Sequence, residues 1–201
     1  MDLAVLAATF GAIFIVELPD KTFIAALVLS TRYPPLAVWI GVGLAFGVQT
    51  LVAVTVGALA TLLPDAVLQV VATVIFLAGA VVLFRTAPGA DSAEHEQEEE
   101  YAARATEPRS FLSAVVASFL VLFAAEWGDL SQLLTISFVT RYDDHVSVFL
   151  GAWTALLTVS GLAIVAGRLL LRHLRLAVLH YIGAGVCLLL AVLTVVELAT
   201  G

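Results

Sequence analysis

Charge is scarce in this sequence. Only 12% of its 201 residues are Asp, Glu, Lys or Arg, where a soluble domain carries about a quarter. Hydrophobic residues make up 62%, and mean hydropathy is +1.08. That balance excludes both a soluble globular domain and a disordered chain. The formal net charge of −7 also excludes a nucleic-acid binder, because a phosphate backbone would repel it. A single cysteine, Cys187, leaves no intrachain disulfide framework and no Cys-based zinc site. No His-Glu-x-x-His pattern is present, which argues against a zinc protease. There is no room for a large soluble domain beside the apolar segments. What is left is a small integral membrane protein.

A membrane-spanning helix needs about 20 apolar residues. Six stretches qualify: Leu3–Ser30, Leu36–Leu63, Ala66–Phe84, Phe111–Val139, Val146–Leu171 and Leu176–Leu198. Their continuity favours helices over the ~10-residue alternating strands of a barrel. Met1-Asp2 lacks a basic leader, so the first span is not read as a cleaved signal peptide. Six spans place both termini on one side, together with the turns near residues 64 and 143. That side carries Arg141; the other carries Arg32, Arg85, Arg104, Arg109, Arg168, Arg172 and Arg175. Basic residues concentrate on the cytoplasmic side, so the termini are expected outside and the 87–110 segment in the cytoplasm. That segment holds Asp91, Glu94, Glu96, Glu98, Glu99, Glu100 and Glu107. It reads as a flexible, self-repelling linker, with weak divalent-cation attraction helped by His95 as the sharper alternative.

The chain repeats itself. Glu17, Asp20 and Thr22 align with Glu126, Asp129 and Ser131 at an offset of 109, as Thr31-Arg32-Tyr33 does with Thr140-Arg141-Tyr142. After one inserted residue, Gly41, Ala45 and Gly57 align with Gly151, Ala155 and Gly167. Three spans per copy make the second copy enter the membrane from the opposite side. The expected fold is therefore all-α, six transmembrane helices forming two inverted-topology three-helix repeats. Residues 1–86 and 111–201 are the repeats, joined by the acidic 87–110 loop. Secondary transporters are commonly built this way, with the substrate at the repeat interface near the midplane.

Glu17, Asp20 and Lys21 lie near the middle of the first span, and Glu126 and Asp129 near the middle of the fourth. Each charge at that depth costs about 2.5–3.5 kcal/mol on the insertion scale. Lys21 is the only lysine in the chain. An i, i+3 spacing places each acidic pair on one helix face, and a two-fold relation brings the pairs together. Four carboxylates so close cannot all stay ionised without a cation or protons. All-oxygen ligands suit hard divalent ions. Fully ionised, the four acids and Lys21 carry three net negative charges. One divalent ion or two protons bring that to one, so a site of alternating access becomes an exchanger. Lys21 is placed to pair with Glu17.

Further candidates surround the acids. Thr22 and Ser131 either add hydroxyl oxygens or bond carbonyls of their own helices. Pro19 cannot donate to the carbonyl of Ile15, which frees that oxygen as a candidate ligand. Gly128, at the matching position, permits bending. Gln132, Gln49, Thr50 and Ser160 are candidate ligands or supporting partners, with interhelical hydrogen bonding the blander role. Gly43 and Gly47 suit close helix packing. Trp127 is expected beside the cavity, and no histidine is assigned to the ion.

Glu17-Leu18-Pro19-Asp20-Lys21-Thr22 and Glu126-Trp127-Gly128-Asp129-Leu130-Ser131 resemble the paired E-x-G-D-[KR]-[ST] signature of a family of small six-span cation exporters. That family includes Golgi-type calcium/manganese-proton antiporters and bacterial manganese exporters. The resemblance covers both halves. It implies export of Mn²⁺, Ca²⁺ or both from the cytosol in exchange for protons, carried by Glu17, Asp20, Glu126 and Asp129. It implies no enzyme activity and no resident cofactor, the metal being cargo. Pro19 replaces the expected glycine and Leu130 the expected base, which leaves proton stoichiometry and metal preference open. Minimal loops suggest a prokaryotic plasma-membrane protein.

Three rivals remain at this level. A passive cation channel would need no proton coupling. An exporter of small organic cations would need a larger, partly aromatic cavity. An intramembrane aspartyl protease is suggested by Gly128-Asp129, but it needs neither glutamate nor lysine.

Overall fold

The computed structural model describes the chain except residues 19–20, 105–109, 143, 174–175 and 201. Within helices it leaves out the side chains of 21, 65, 91–92, 94–95, 104, 167–173, 176, 197 and 200. The helices are α1 (Leu3–Glu17), α2 (Lys21–Arg32), α3 (Pro35–Ala60), α4 (Asp65–Thr86), α5 (Ala90–Arg104), α6 (Phe111–Ala125), α7 (Leu130–Arg141), α8 (His145–His173) and α9 (Leu176–Thr200). No strand occurs among the described residues. The fold is an all-α membrane architecture. Four helices, α3, α4, α8 and α9, are each long and apolar enough to cross a bilayer. Two more spans arise if α1 with α2, and α6 with α7, each count as one broken span, bent by 71° and 74°.

The breaks correct one expectation. The first and fourth spans are not continuous helices, so Glu126 and Asp129 do not share a helix face. Glu126 caps the C-terminus of α6 and Asp129 the N-terminus of α7. Gly128 between them has φ of +81°, a left-handed conformation that glycine adopts without steric penalty. Its sequence signal was read as freedom to bend; the structure uses it to stop one helix and start another.

Residues that the offsets match pack alike. A Cβ on Gly41 would stand 2.3 Å from the Val115 carbonyl oxygen and 2.9 Å from Ser118 Cβ. A Cβ on Gly151 would stand 2.6 Å from the Leu6 carbonyl oxygen and 3.0 Å from Thr9 Cβ. Leu6 and Thr9 are the 109-offset partners of Val115 and Ser118. So α6 crosses α3 at a glycine as α1 crosses α8. The helices α3 and α8 run antiparallel: Trp39 Nε1 donates to the Leu157 carbonyl (3.1 Å) and Trp153 Nε1 to the Gly43 carbonyl (2.9 Å). Gly43 and Gly47 serve this seam, as their spacing suggested. Leu157 and the Trp153 ring occupy the space their side chains would need.

The acidic segment is a second correction. Its described residues are not a flexible linker: Ala90–Arg104 form the helix α5, packed against α2 and α9. Ala90 and Tyr101 are buried at 7% and 4% exposure, while Glu96, Glu99 and Glu100 face outward. Alanine, glutamate and glutamine are strong helix formers, and one apolar edge suffices to anchor them. The side chains of Asp91, Glu94 and His95, and all of Glu107, lie outside the described residues.

One end of the bundle is clasped. The Asp144 carboxylate accepts from the Ser147 hydroxyl (2.7 Å), the Ser147 amide (3.0 Å) and the Asp2 amide (2.6 Å). Asp2 in turn caps α1 through the Ala4 amide. The side-chain bond from Ser147, then its backbone bond, hold Asp144 well below the usual carboxylate range. A depressed carboxylate stabilises the fold above its unfolded pKa, and that contribution is lost as pH falls through the folded value. The clasp is therefore expected to survive acidification through the ordinary carboxylate range. Asp144→Asn should open it at neutral pH, seen as several-fold faster amide hydrogen exchange in the first turn of α1.

Candidate cation site

Each motif sits where a membrane span breaks. Glu17 is the last residue of α1 and is 1% exposed; Glu126, just past α6, is 3% exposed. Both glutamates thus stand at the C-terminal, electronegative end of a half-helix. Asp129 is partly buried at the N-terminal end of α7. Asp20 and Pro19, with the side chain of Lys21, lie outside the described residues. Among the described residues no three His, Cys, Asp or Glu side chains gather in a metal-binding group. The helix α1 packs on α7 and α2 on α6. Two antiparallel broken spans make that pattern when their breaks face each other.

Hydroxyls flank the breaks. Thr22 is fully buried and Ser131 is 7% exposed. The Thr22 hydroxyl has no hydrogen-bond partner among the described residues. Most other helical hydroxyls bond a carbonyl of their own helix, as Thr9 does to Val5 and Thr135 to Ser131. No such bond occurs for Thr22 or Ser131 among the described residues.

Two glutamines shape the second break. Gln49, 2% exposed on α3, donates to the carbonyl of Phe123 at 3.1 Å. Helix termination had left that oxygen without its usual donor. Gln132 folds back over the break: Nε2 donates to the Glu126 carbonyl (2.6 Å), and Oε1 accepts from the Gly128 amide (3.3 Å). Adjacency to the motif was the only sequence signal for Gln132, and it did not reveal this backbone role. Removing the amide takes the acceptor from the exposed Gly128 amide and leaves the part-buried Glu126 carbonyl with the long 3.4 Å bond from the Asp129 amide; a backbone group left unsatisfied costs about 1–3 kcal/mol when buried. Gln132→Leu should lower unfolding stability by that order, measured by denaturant titration in detergent. Gln132→Glu, which keeps the acceptor, should lose less.

The Ile15 carbonyl faces α9, 4.0 Å from where a Cβ on Gly183 would stand. Thr50 is buried, and Ser160 bonds the Leu157 carbonyl of its own helix at 3.1 Å. Trp127 does not pack beside a cavity. It is 59% exposed, with its ring 5.0 Å from that of Phe123, because the 74° bend swings it off the helix line. Leu130, at the position expected to be basic, packs against Gly79 of α4 and near Cys187 of α9. That apolar seam explains why a leucine is accommodated there.

The family model described as the divalent cation/proton antiporter GDT1 matches residues 5–91 and 114–201. The chain is 32% identical to the GDT1-like protein sll0615 of Synechocystis, over 81% of its own length and 86% of that protein. It is 28% identical to Protein PAM71, chloroplastic, of Arabidopsis thaliana, over 96% of its own length but 57% of that protein. It therefore spans little more than half of the chloroplast relative. A third relative, GDT1-like protein 3 of the same plant, is 28% identical over 82% of this chain and 61% of its own. No solved structure matches. The chain belongs to the GDT1 family of divalent cation/proton antiporters.

Proposed function

We propose that this chain exports a divalent cation, manganese foremost and calcium second, from the cytosol in exchange for protons. The observation that carries the reading is a pair of glutamates, Glu17 and Glu126, buried at 1% and 3% exposure where two matched membrane spans break. A carboxylate inside a membrane protein and at the negative end of a half-helix draws a compensating positive charge. A metal ion supplies it in one phase of the cycle, and protons supply it in the other. Asp129, at the positive end of α7, suits a carboxylate ligand to the ion. Asp20 is assigned the same part in the first motif, and Lys21 the part of holding Glu17. Thr22 and Ser131 offer hydroxyl oxygens that their own helices leave unused. Gln49 and Gln132 hold the second break in shape.

The alternation of access rests on reading residues 1–86 and 111–201 as inverted copies. The antiparallel α3 and α8 and the matched glycine crossings support that reading. The arginine distribution supports termini outside and α5 in the cytoplasm, and the minimal loops suit the plasma membrane of a prokaryote. The test is flux in proteoliposomes under an imposed pH gradient, with Mn²⁺, Ca²⁺ and Mg²⁺ offered separately. Proton movement driven by Mn²⁺, weaker with Ca²⁺, is expected. Metal entry without proton movement would instead identify a passive channel.

A further inference from the structure

We infer that the membrane-facing groove between α4 and α9 is a binding site for an anionic glycerophospholipid. The groove has a volume of about 480 Å³. Its floor is made of small residues, with Ala80 and Ala184 at 8% and 7% exposure. A Cβ on Gly185 would meet no atom within 4 Å, so the groove is open there. The helices are antiparallel, and the groove ends where the last turn of α4 meets the start of α9. At that end stand Arg85, exposed, and the Phe84 and Tyr181 rings, edge to face at 5.4 Å. Arg85 makes no ion pair among the described residues.

These features specify the occupant. An apolar trough takes an acyl chain. An arginine at its mouth takes a phosphate, and a tyrosine beside it sits at headgroup level, as interfacial aromatics do. A second copy of the chain would cover the trough but offers no reason for an unmatched cation at one end. The floor also backs onto both breaks. Gly79, next to Ala80, receives Leu130, and Gly183, next to Ala184, lies against Ile15 and Val16. A lipid in the groove therefore braces the two helices on which α1 and α7 rest.

The test uses purified, delipidated protein with either phosphatidylglycerol or phosphatidylcholine added. Retained lipid is read by native mass spectrometry and the unfolding midpoint by temperature ramp. Wild type should retain phosphatidylglycerol preferentially and gain midpoint from it. Arg85→Gln should weaken that retention about fivefold, the worth of one basic contact at a membrane surface. Arg85→Lys should keep most of it. Gly185→Leu, which fills the trough, should lose both lipids while keeping its lipid-free midpoint. Equal retention of the two lipids by wild type would overturn the proposal, as would undiminished phosphatidylglycerol binding in Arg85→Gln. So would efficient disulfide cross-linking of two Val81→Cys chains in phosphatidylglycerol vesicles, because the groove would then hold another protein.

Discussion

Glu126→Gln and Glu17→Gln should each reduce metal-coupled proton flux by about a hundredfold or more. Even partners one layer outside a metal's ligands are worth about 10–100-fold in affinity or activity. A carboxylate that touches the ion also carries the charge it neutralises, so its loss costs more. The substitution keeps shape and removes charge. The helices that bury Glu17 and Glu126 at 1% and 3% exposure should therefore stay in place, and circular dichroism should be unchanged. Loss of flux with the fold intact separates a role in carrying the ion from a role in folding. Matched loss at both sites is the outcome that two equivalent half-sites demand. Flux measured in proteoliposomes for each single variant checks it.

Gly41→Ala and Gly151→Ala should have the largest effects on stability. The added methyl would stand 2.3 Å from the Val115 carbonyl oxygen in the first case and 2.6 Å from the Leu6 carbonyl oxygen in the second. Both neighbours are backbone, so neither can rotate away, and a whole helix must shift. Overpacking typically costs about 1–3 kcal/mol and occasionally more; a backbone clash belongs at the upper end. Gly11→Ala is the control. Its Cβ would meet nothing within 4 Å, and alanine is favoured over glycine inside a helix by about 0.5–1 kcal/mol. Unfolding titrations in detergent should show two strongly destabilised variants and one neutral or stabilised one. The helices displaced by the first two carry Glu126 and Glu17, so transport should fail in both.

Much of this was legible in the residues because the bilayer imposes strong rules. Apolar length marked the spans, and the 109-residue offset marked the matched motifs before any helix was seen. The offsets also paired Gly41 with Gly151, which the structure places in equivalent crossings. The breaks were less legible. An i, i+3 pair of acids implies a shared face only if the helix continues, and whether it continues turns on the backbone of one glycine. Gly128 gives no sequence sign that its φ is +81°. The expected packing of Trp127 beside the cavity failed for the same reason, since a bend moves every side chain within it. For α5, charge repulsion argued for a linker, but Tyr101 and the alanines bury an edge that net charge does not register. The clasp of Asp144 on Asp2 joins residues 142 positions apart, beyond the reach of any local pattern.

The central claim is that buried acids at two facing breaks exchange one divalent ion for protons. Proteoliposomes holding the Glu17→Gln plus Glu126→Gln protein, given Mn²⁺ across a pH gradient, test it most directly. The account predicts that Mn²⁺ moves no protons in this variant while wild type does so briskly. Mn²⁺-driven proton movement that persists at the wild-type rate would contradict it.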